Sequence, residues 1–197
     1  MLKAYIYNGI RTPFGRNAGA LSKVRPDDML GEVIRTVVKS SAFSKSSIDD
    51  VIIGCGNQAG EDSRCIARHA LLRAGLPIET PGTVIQRNCG SGLGAIISAS
   101  HAITCGEADV IIAGGVESMT RAPFVIAKAE QLYSKQLISF DSALGARFPN
   151  PKLEEEFGSD TMPQTADNLA VEFELSRKDC DLFAFQSQEK YAAAKLD

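Results

Sequence analysis

The apolar positions of the chain form short continuous runs separated by longer stretches with helical spacing. The runs, with one alternating segment near the start, predict strands at Lys3–Asn8, Val51–Cys55, Thr83–Ile85 and Val110–Ala113. The longer stretches predict a helix opened by Pro26, a helix through CIARHALLRA capped by Asp62 or Ser63, and a helix from the glycine-rich turn CGSGLG to Gly106. Strand and helix therefore alternate, which is typical of a layered α/β fold with a mixed, mostly parallel sheet.

The pattern changes after Thr120. Residues 122–137 predict a helix, residues 138–163 are irregular and contain three prolines, and Gln164–Glu174 predicts another helix. A last helix is opened by SRKD at Ser176, which has the spacing of a capping box. We therefore expect two regions along the chain.

The first region is an α/β domain over residues 1–120, and the second is a mainly helical region over residues 121–197. The last helix reaches Asp197 without a stop signal. We therefore expect a chain that is cut rather than finished.

Composition narrows the class of protein. The chain has 197 residues, of which 44% are hydrophobic and 23% charged, as in ordinary globular proteins. The formal net charge is −3 without a basic tract, which argues against a nucleic-acid partner. No apolar stretch has the length of a signal peptide or a transmembrane helix. Five cysteines, an odd number without regular spacing, predict free thiols in a reducing cytoplasm.

Cys89 is the strongest candidate for chemistry, because it follows a predicted strand and precedes a predicted helix. The free N–H groups and the dipole at a helix N-terminus favour a thiolate and can hold an oxyanion on an attacked carbonyl. Gly90, Gly92 and Gly94 leave room for a bulky acyl thioester. The sequence therefore favours a cysteine nucleophile.

Two other interpretations of this segment remain. Cys89 is equally compatible with a small buried hydrophobic residue, as most free cysteines are. CGSGLG after a strand also resembles a dinucleotide-binding loop, but Ala95 stands where that motif requires its last glycine.

A base for Cys89 is missing from the sequence. Of the two histidines, His101 lies twelve residues further along the same predicted helix, about 18 Å away at 1.5 Å per residue. His69 lies in mid-helix, where a structural role is more common. Its spacing to Cys65 suits a metal, but Cys55 and Cys89 are too irregularly placed to complete a zinc module, so we expect none. Glu117 receives no chemical role.

The motifs NCGSGLGAI around Cys89 and AGGVESMTRAP at residues 113–123 resemble those of the thiolase family. IRTPFG near the start and MPQTADNLAVEFELSRKDCDLFAFQSQEKYAAAK near the end are similar to thiolase motifs as well, in the same order. The segments IDDVIIGCGNQAGEDSRCIAR and GARFPNPKLEEEFGSDTMPQTADN are most similar to thiolases that act on 3-oxoadipyl-CoA, and acetyl-CoA acetyltransferases share most of them. The resemblance covers essentially the whole chain.

The resemblance implies a thiolase-like layered α/β fold with a helical loop domain over the coenzyme. It implies that Cys89 takes an acyl group from acetyl-CoA or a 3-oxoacyl-CoA, with coenzyme A thioesters as substrates and no permanently bound cofactor. Met162 matches a loop-domain methionine near the acyl pocket, although a methionine that fills a gap in the core is equally compatible. Thiolases form dimers or tetramers, in which the strand TVIQ pairs with its copy.

The resemblance also implies that half of the enzyme is absent from this sequence. Thiolases are about twice as long, and their Gly-His-Pro, Cys-x-Gly-Gly-Gly and Asn-Glu-Ala-Phe motifs do not occur here. The last strand of the first domain is also not found. We expect half of an acyltransferase site, completed by a further part of the protein or by a separate C-terminal half.

Two alternatives belong to other classes of protein. One is a non-catalytic relic that survives as a dimerising or binding protein. The other is a condensing enzyme that acts on carrier-protein thioesters, against which AGGVESMTRAP and the helical insert argue.

Overall fold

The computed structural model describes residues 3–196. Its central element is a parallel sheet of three strands, ordered β2 (Gly82–Ile85), β1 (Asp50–Gly54), β3 (Ile111–Gly115). Ile53 of β1 lies opposite Val84 on one side and Gly114 on the other. Because β1 is flanked on both sides, it is the best-buried strand, with Val51 fully buried.

Three helices cover the two faces of this sheet. Helix α2 (Ile66–Ala74) packs on one face with α1 (Pro26–Lys39) against it, and α3 (Ser91–Cys105) packs on the other. The larger core lies between α1, α2 and β1. The smaller core joins Ile52 of β1 to two alanines of α3. The chain is therefore a layered α/β structure built on a parallel sheet, as the sequence predicts.

The helix ends follow from local residue types. Pro26 stands at the first position of α1, where its missing N–H costs no hydrogen bond. Helices α2 and α3 end at Gly75 and Gly106, which have φ values of +78° and +77° and close the helices in the left-handed conformation. Both stops agree with the sequence prediction.

Residues after β3 form a 3₁₀ turn at Met119–Arg121 and an antiparallel hairpin, β4 (Phe124–Ile126) with β5 (Ser139–Asp141). A second 3₁₀ turn, Lys45–Ser47, lies between α1 and β1. Residues up to Arg147 form one compact unit.

Residues from Phe148 form a second unit. It contains α4 (Pro151–Phe157), α5 (Met162–Glu172) and α6 (Arg177–Ala194). A complete capping box at Thr161 and Gln164 starts α5, and the Ser176 hydroxyl accepts from the Asp179 amide to start α6. Within residues 3–196, no helix has the length and apolar character needed to cross a bilayer.

Four local predictions are wrong. Residues 3–8 form no strand, because no described strand lies beside them to pair with; instead the Lys3 amide donates to Thr104 and the Asn8 side chain to Ser40. Residues 122–137 contain strand β4 in place of a helix, since two β-branched residues follow a proline there and pair with β5.

The other two errors concern helix boundaries. Asp62 and Ser63 do not cap α2, whose N-cap is Cys65 in a left-handed conformation (φ +68°). The Asp62 carboxylate instead accepts from the Gly60 amide within the preceding loop. Pro151–Phe157 forms a helix where the prolines predict irregular structure, because Pro151 occupies its first turn and the Asn150 side chain caps it.

Candidate active site

Cys89 lies in the turn that joins β2 to α3, and it is exposed. Gly90 is the N-cap of α3, so Cys89 stands immediately before the helix N-terminus, as the sequence predicts. Asn88, directly before it, has a φ of +48°, a left-handed conformation that asparagine tolerates better than most residues. The turn between β2 and α3 therefore leaves Cys89 exposed.

Ser91 holds this turn in shape from inside. Its hydroxyl accepts from the Arg87 amide at 2.8 Å and donates to the Asn88 carbonyl at 2.6 Å. The Ser91 amide also donates to the Asn88 carbonyl. Ser91 is 4% exposed, so these bonds are shielded from competing water. The conformation of the residues on either side of Cys89 is thus fixed by one buried side chain.

The end of β1 lies directly beneath the first turn of α3. A Cβ atom at Gly54 would overlap the carbonyl carbon of Ser91 and the amide nitrogen of Gly92. A Cβ at Gly115, at the end of β3, would come within 3.3 Å of the Gly92 Cα. Gly54 therefore has to be glycine for the helix N-terminus to lie this close to the sheet, and a side chain at Gly115 would make a tight contact with the same turn.

Gly92 and Gly94, which follow Cys89, have different surroundings. A Cβ at Gly92 would meet nothing within 4 Å, so the structure leaves space at that position. A Cβ at Gly94 would press on Ile85 at 3.3 Å and on Arg87 at 3.4 Å. Gly94 therefore serves the packing of α3 on β2.

Glu117 fixes the loop that follows β1. Its carboxylate accepts from the Gly56 amide at 2.9 Å and from the Asn57 amide at 3.2 Å. The Gln86 side chain donates to the Gly56 carbonyl at 2.9 Å from the other side. A Cβ on Gly56 would lie 3.8 Å from the Asn88 Cα, so this loop adjoins the turn that carries Cys89.

Two further side chains of the segment VESMTRAP tie neighbouring loops together. Thr120 accepts from the Ala18 amide and donates to the Asn17 side chain. Arg121 makes two contacts of 2.6 Å to the Glu61 carboxylate and one of 3.1 Å to the Ser22 carbonyl. This segment thus connects the loops that surround the carboxyl ends of the strands, the edge where open α/β sheets bind ligands.

Cys55, at the end of β1, is a thiol of a different kind. It is 1% exposed, and its sulfur lies 3.9 Å from the Glu117 carboxylate. Burial first, then the negative charges of Glu117 and Asp62, raises the pKa of the Cys55 thiol to about 12. Cys55 is therefore a protonated, packed residue at neutral pH.

Cys55, Asp62 and Glu117 bring three possible metal-ligand atoms within 4.8 Å of one another. Glu117 accepts from two backbone amides and Asp62 from one. The cluster is explained by these hydrogen bonds. The spacing noted between Cys65 and His69 leads to no shared site, because the Cys65 thiol donates to the Gly82 carbonyl at 3.1 Å.

The structure does not bring a histidine to Cys89. His69 is exposed on α2, on the sheet face opposite α3, and His101 is exposed on α3. Among residues 3–196, neither imidazole makes a hydrogen bond. Met162 opens α5 in the second unit, and its side chain is 79% exposed.

Comparison with known proteins decides the family. The family model described as "Thiolase, N-terminal domain" matches residues 4–197. The chain belongs to the thiolase family. Its match to the N-terminal domain covers the Cys89 turn, the loops around it and all three sheet strands.

Curated thiolases are similar along the whole chain. The 3-oxoadipyl-CoA/3-oxo-5,6-dehydrosuberyl-CoA thiolase of Escherichia coli (strain K12) is 51% identical over 196 residues, which are 99% of this chain and 49% of that protein. The beta-ketoadipyl-CoA thiolase of Acinetobacter baylyi is 50% identical, with the same coverage. The chain thus spans about half the length of the curated relatives it matches.

The thiolase fold is also shared with a solved structure. The crystal structure of human mitochondrial 3-ketoacyl-CoA thiolase in complex with CoA has 34% sequence identity and a TM-score of 0.80. The match covers 93% of this chain and 46% of that chain. The resemblance inferred from the motifs is therefore confirmed, both for the family and for the half of it that is present.

Sequence reasoning missed several residues of this site. Ser91 acts through hydrogen bonds within the turn, and Glu117 through hydrogen bonds to the loop after β1. Neither contact can be predicted from the residues next to it in sequence. A weak signal existed for Gly54, because glycine inside an apolar strand often marks a close approach of another backbone. Glu117 could have been suspected because it stands two residues after a strand that ends in two glycines.

Proposed function

We propose that this chain is the acyl-accepting half of a thiolase, an acyl-CoA C-acyltransferase, with Cys89 as the nucleophile. The observation that carries the proposal is the exposed position of Cys89 immediately before the N-terminus of α3. Family membership supports it, because the match spans this turn. No other described cysteine combines exposure with the start of a helix that packs on the sheet.

The proposed chemistry is acyl transfer to sulfur. When the Cys89 sulfur attacks the thioester carbon of an acyl-CoA, the bond from that carbon to the coenzyme A sulfur breaks and the proton lost by Cys89 ends on the released coenzyme A thiol. When it attacks the 3-oxo carbon of a 3-oxoacyl-CoA, the bond between carbons 2 and 3 breaks, and the released fragment takes up a proton and leaves as acetyl-CoA. In both cases a thioester on the enzyme forms. The partial positive charge of the α3 N-terminus stabilises negative charge that develops on the attacked carbonyl oxygen. Ser91 and Gly54 contribute by holding that terminus and the turn in place.

The proposed substrates are coenzyme A thioesters, with 3-oxoadipyl-CoA as the specific candidate. Relatives named for 3-oxoadipyl-CoA or beta-ketoadipyl-CoA are 45% to 51% identical, which favours that acyl group over acetoacetyl-CoA. No permanently bound cofactor or metal is part of the proposal. Met162 remains a candidate substrate-binding residue.

Organisation and location complete the proposal. The α/β domain spans residues 1–120 and the mainly helical loop domain residues 121–197. The chain associates as a dimer or tetramer in a reducing cytoplasm. A base for the second half-reaction comes from outside residues 1–197, because His69 lies on the sheet face opposite α3 and His101 lies twelve residues along the chain from Cys89, about 18 Å at 1.5 Å per residue. A non-catalytic relic is the alternative.

Mass spectrometry and a steady-state assay test the proposal together. We expect the isolated chain to form a slow acyl adduct on Cys89 from acetyl-CoA or succinyl-CoA and to show no sustained cleavage of 3-oxoacyl-CoA. The reason is that loss of a general base costs roughly 10²–10⁴-fold in rate, and loss of several cooperating groups costs more. The Cys89→Ser variant is the control for the adduct.

Two outcomes would contradict this expectation. A folded chain that forms no adduct on Cys89 would favour the non-catalytic alternative. Robust multiple turnover by the chain alone would show that a base is present within residues 1–197.

A further inference from the structure

A half-buried arginine whose charge has no carboxylate partner contacts the loop after β1. Arg147, just after the β4–β5 hairpin, donates to the Asn57 side-chain oxygen at 3.1 Å. Among residues 3–196, no Asp or Glu oxygen lies within 4.0 Å of its guanidinium. A guanidinium has five N–H donors in a planar fork, so one amide oxygen leaves most of them available.

The Asn57 side chain that accepts from Arg147 is itself fixed by hydrogen bonds. Asn57 is 7% exposed. Its backbone amide donates to the Glu117 carboxylate, and its side-chain nitrogen donates to the Ser142 carbonyl at 3.0 Å. The Ser142 hydroxyl in turn donates to the Pro123 carbonyl. Arg147 therefore sits on a scaffold of buried hydrogen bonds, which is the arrangement that makes a binding group selective.

This scaffold adjoins the turn that carries the proposed nucleophile. Asn57 follows Gly56 in the chain, and a Cβ on Gly56 would lie 3.8 Å from the Asn88 Cα. Asn88 directly precedes Cys89. Asn57 thus contacts the Arg147 guanidinium, and its neighbour Gly56 contacts the turn that carries Cys89.

We infer that Arg147 binds the terminal carboxylate of a dicarboxylic acyl group held at Cys89. The inference rests on the proposed function, because it assumes acylation of Cys89. When Cys89 attacks the 3-oxo carbon of 3-oxoadipyl-CoA, the bond between carbons 2 and 3 breaks. Carbon 2 takes up the proton lost by Cys89 and leaves as part of acetyl-CoA, and the fragment left on sulfur is a succinyl group. Its free carboxylate lies three carbon–carbon bonds of about 1.5 Å from the thioester carbon. Arginine pairs with such a carboxylate through two parallel hydrogen bonds.

The Glu117 carboxylate contacts the same loop as Arg147, because it accepts from the Asn57 backbone amide. Its oxygens are already directed to the Gly56 and Asn57 amides, and it does not pair with Arg147. Arg147 and Glu117 thus both bind Asn57 without forming an ion pair with each other.

Two acyl donors that differ only in a terminal charge test the inference on the full chain. In succinyl-CoA and in butyryl-CoA, the Cys89 sulfur bonds to the thioester carbon and the bond from that carbon to the coenzyme A sulfur breaks. The proton lost by Cys89 ends on the released coenzyme A thiol. The ratio of the two acylation rates, measured by intact mass and peptide mapping, cancels every contribution of the coenzyme A portion.

We expect succinyl-CoA to be the faster donor and Arg147→Gln to lower the rate ratio by about 10- to 100-fold, as for the loss of a charged hydrogen-bonded pair. Arg147→Lys should restore part of the ratio, because it keeps the charge without the planar fork. Arg35→Gln is the matched control, since Arg35 is also half-buried but lies on α1, where it pairs with Glu32 and donates to the Arg73 carbonyl. It should leave the ratio unchanged.

Each other outcome overturns the inference in a distinguishable way. If Arg147→Gln slows both donors equally, Arg147 only supports the Asn57 loop. If both donors acylate Cys89 and no variant changes the ratio, the proposed function stands and the assignment of Arg147 fails. If neither donor acylates Cys89 in a folded chain, the proposed function fails and the assignment with it.

Discussion

Cys55 and Glu117 face each other across the ends of β1 and β3, with the thiol 3.9 Å from the carboxylate. Burial and this carboxylate raise the pKa of Cys55 to about 12. Cys89 is exposed in the adjoining turn. Two cysteines that follow neighbouring strands thus occupy opposite chemical environments.

The first prediction concerns alkylation. Brief iodoacetamide treatment near pH 7 should modify Cys89 fastest and Cys55 slowest, because Cys55 is both buried and protonated. Peptide mapping by mass spectrometry gives the rates for all five thiols. Cys105 and Cys180 are exposed comparators on the same chain. Equal labelling of the three exposed cysteines, or preference for Cys180, would argue against a reactive Cys89.

The second prediction concerns the contact of β1 with α3. Gly54→Ala should lower the free energy of unfolding by about 3 kcal/mol or more, because the added Cβ overlaps backbone atoms of Ser91 and Gly92. Gly92→Ala is the matched control, since its Cβ meets nothing within 4 Å. In a helix that change should stabilise by about 0.5–1 kcal/mol. Urea unfolding of both variants decides, and equal midpoints would contradict the packing.

The third prediction concerns acid stability. Two hydrogen bonds from Arg121 to Glu61, with a further contact from Arg25, lower the pKa of Glu61 below its ordinary value of 4.5. The ionised carboxylate is therefore favoured in the folded state. This contribution to stability is present above pH 4.5 and is lost as the pH falls through the lowered folded-state pKa.

Glu61→Gln should accordingly lower the melting temperature at pH 7 and make it less sensitive to acid between pH 5 and 3 (roughly the range in which carboxyl groups titrate). Glu107→Gln is the control, because Glu107 is exposed and forms no ion pair within residues 3–196. Parallel curves for Glu61→Gln and the unmodified chain would show that the Arg121 contact does not couple to folding.

The fourth prediction concerns association. Strands β2 and β3 each have one unpaired edge within the described sheet, and α3 presents exposed apolar side chains, including Leu93 at 64% exposure. Open edges and exposed apolar surface both promote contacts between chains. Light scattering at micromolar concentration should find a dimer or a larger species. A monodisperse monomer would refute this expectation.

The sequence predicted the parts of the fold that depend on local pattern. The apolar runs form β1, which is buried, and β3, which is mostly half-buried, and α2 and α3 end at glycines with positive φ. Both features can be predicted from residue type. The segment 3–8 shows the limit of this reasoning. Alternation indicates that a segment suits a strand, but a strand also needs a neighbour to pair with.

The sequence predicted the proposed nucleophile of the candidate site but not the residues that contact and position the loops around it. Cys89 was found because strand, cysteine, glycine and helix follow one another in sequence. Arg147 and Asn57 are ninety residues apart and meet only through tertiary structure. The fit of Gly54 against Ser91 likewise depends on how closely α3 approaches the sheet, which hydrophobic periodicity does not encode.

The helices after Arg147 differ in one respect from those that cover the sheet. No residue from 148 to 196 is buried, and Ala170 alone is half-buried. Helices α4 and α5, of 7 and 11 residues, are of a length that is marginal without tertiary packing. Their amide hydrogens should therefore exchange with solvent at rates close to those of isolated peptides, while the amides of β1 remain protected until the sheet itself opens. A protease would find cleavable bonds along the whole of this segment, whereas the strands and helices of the α/β unit should resist digestion.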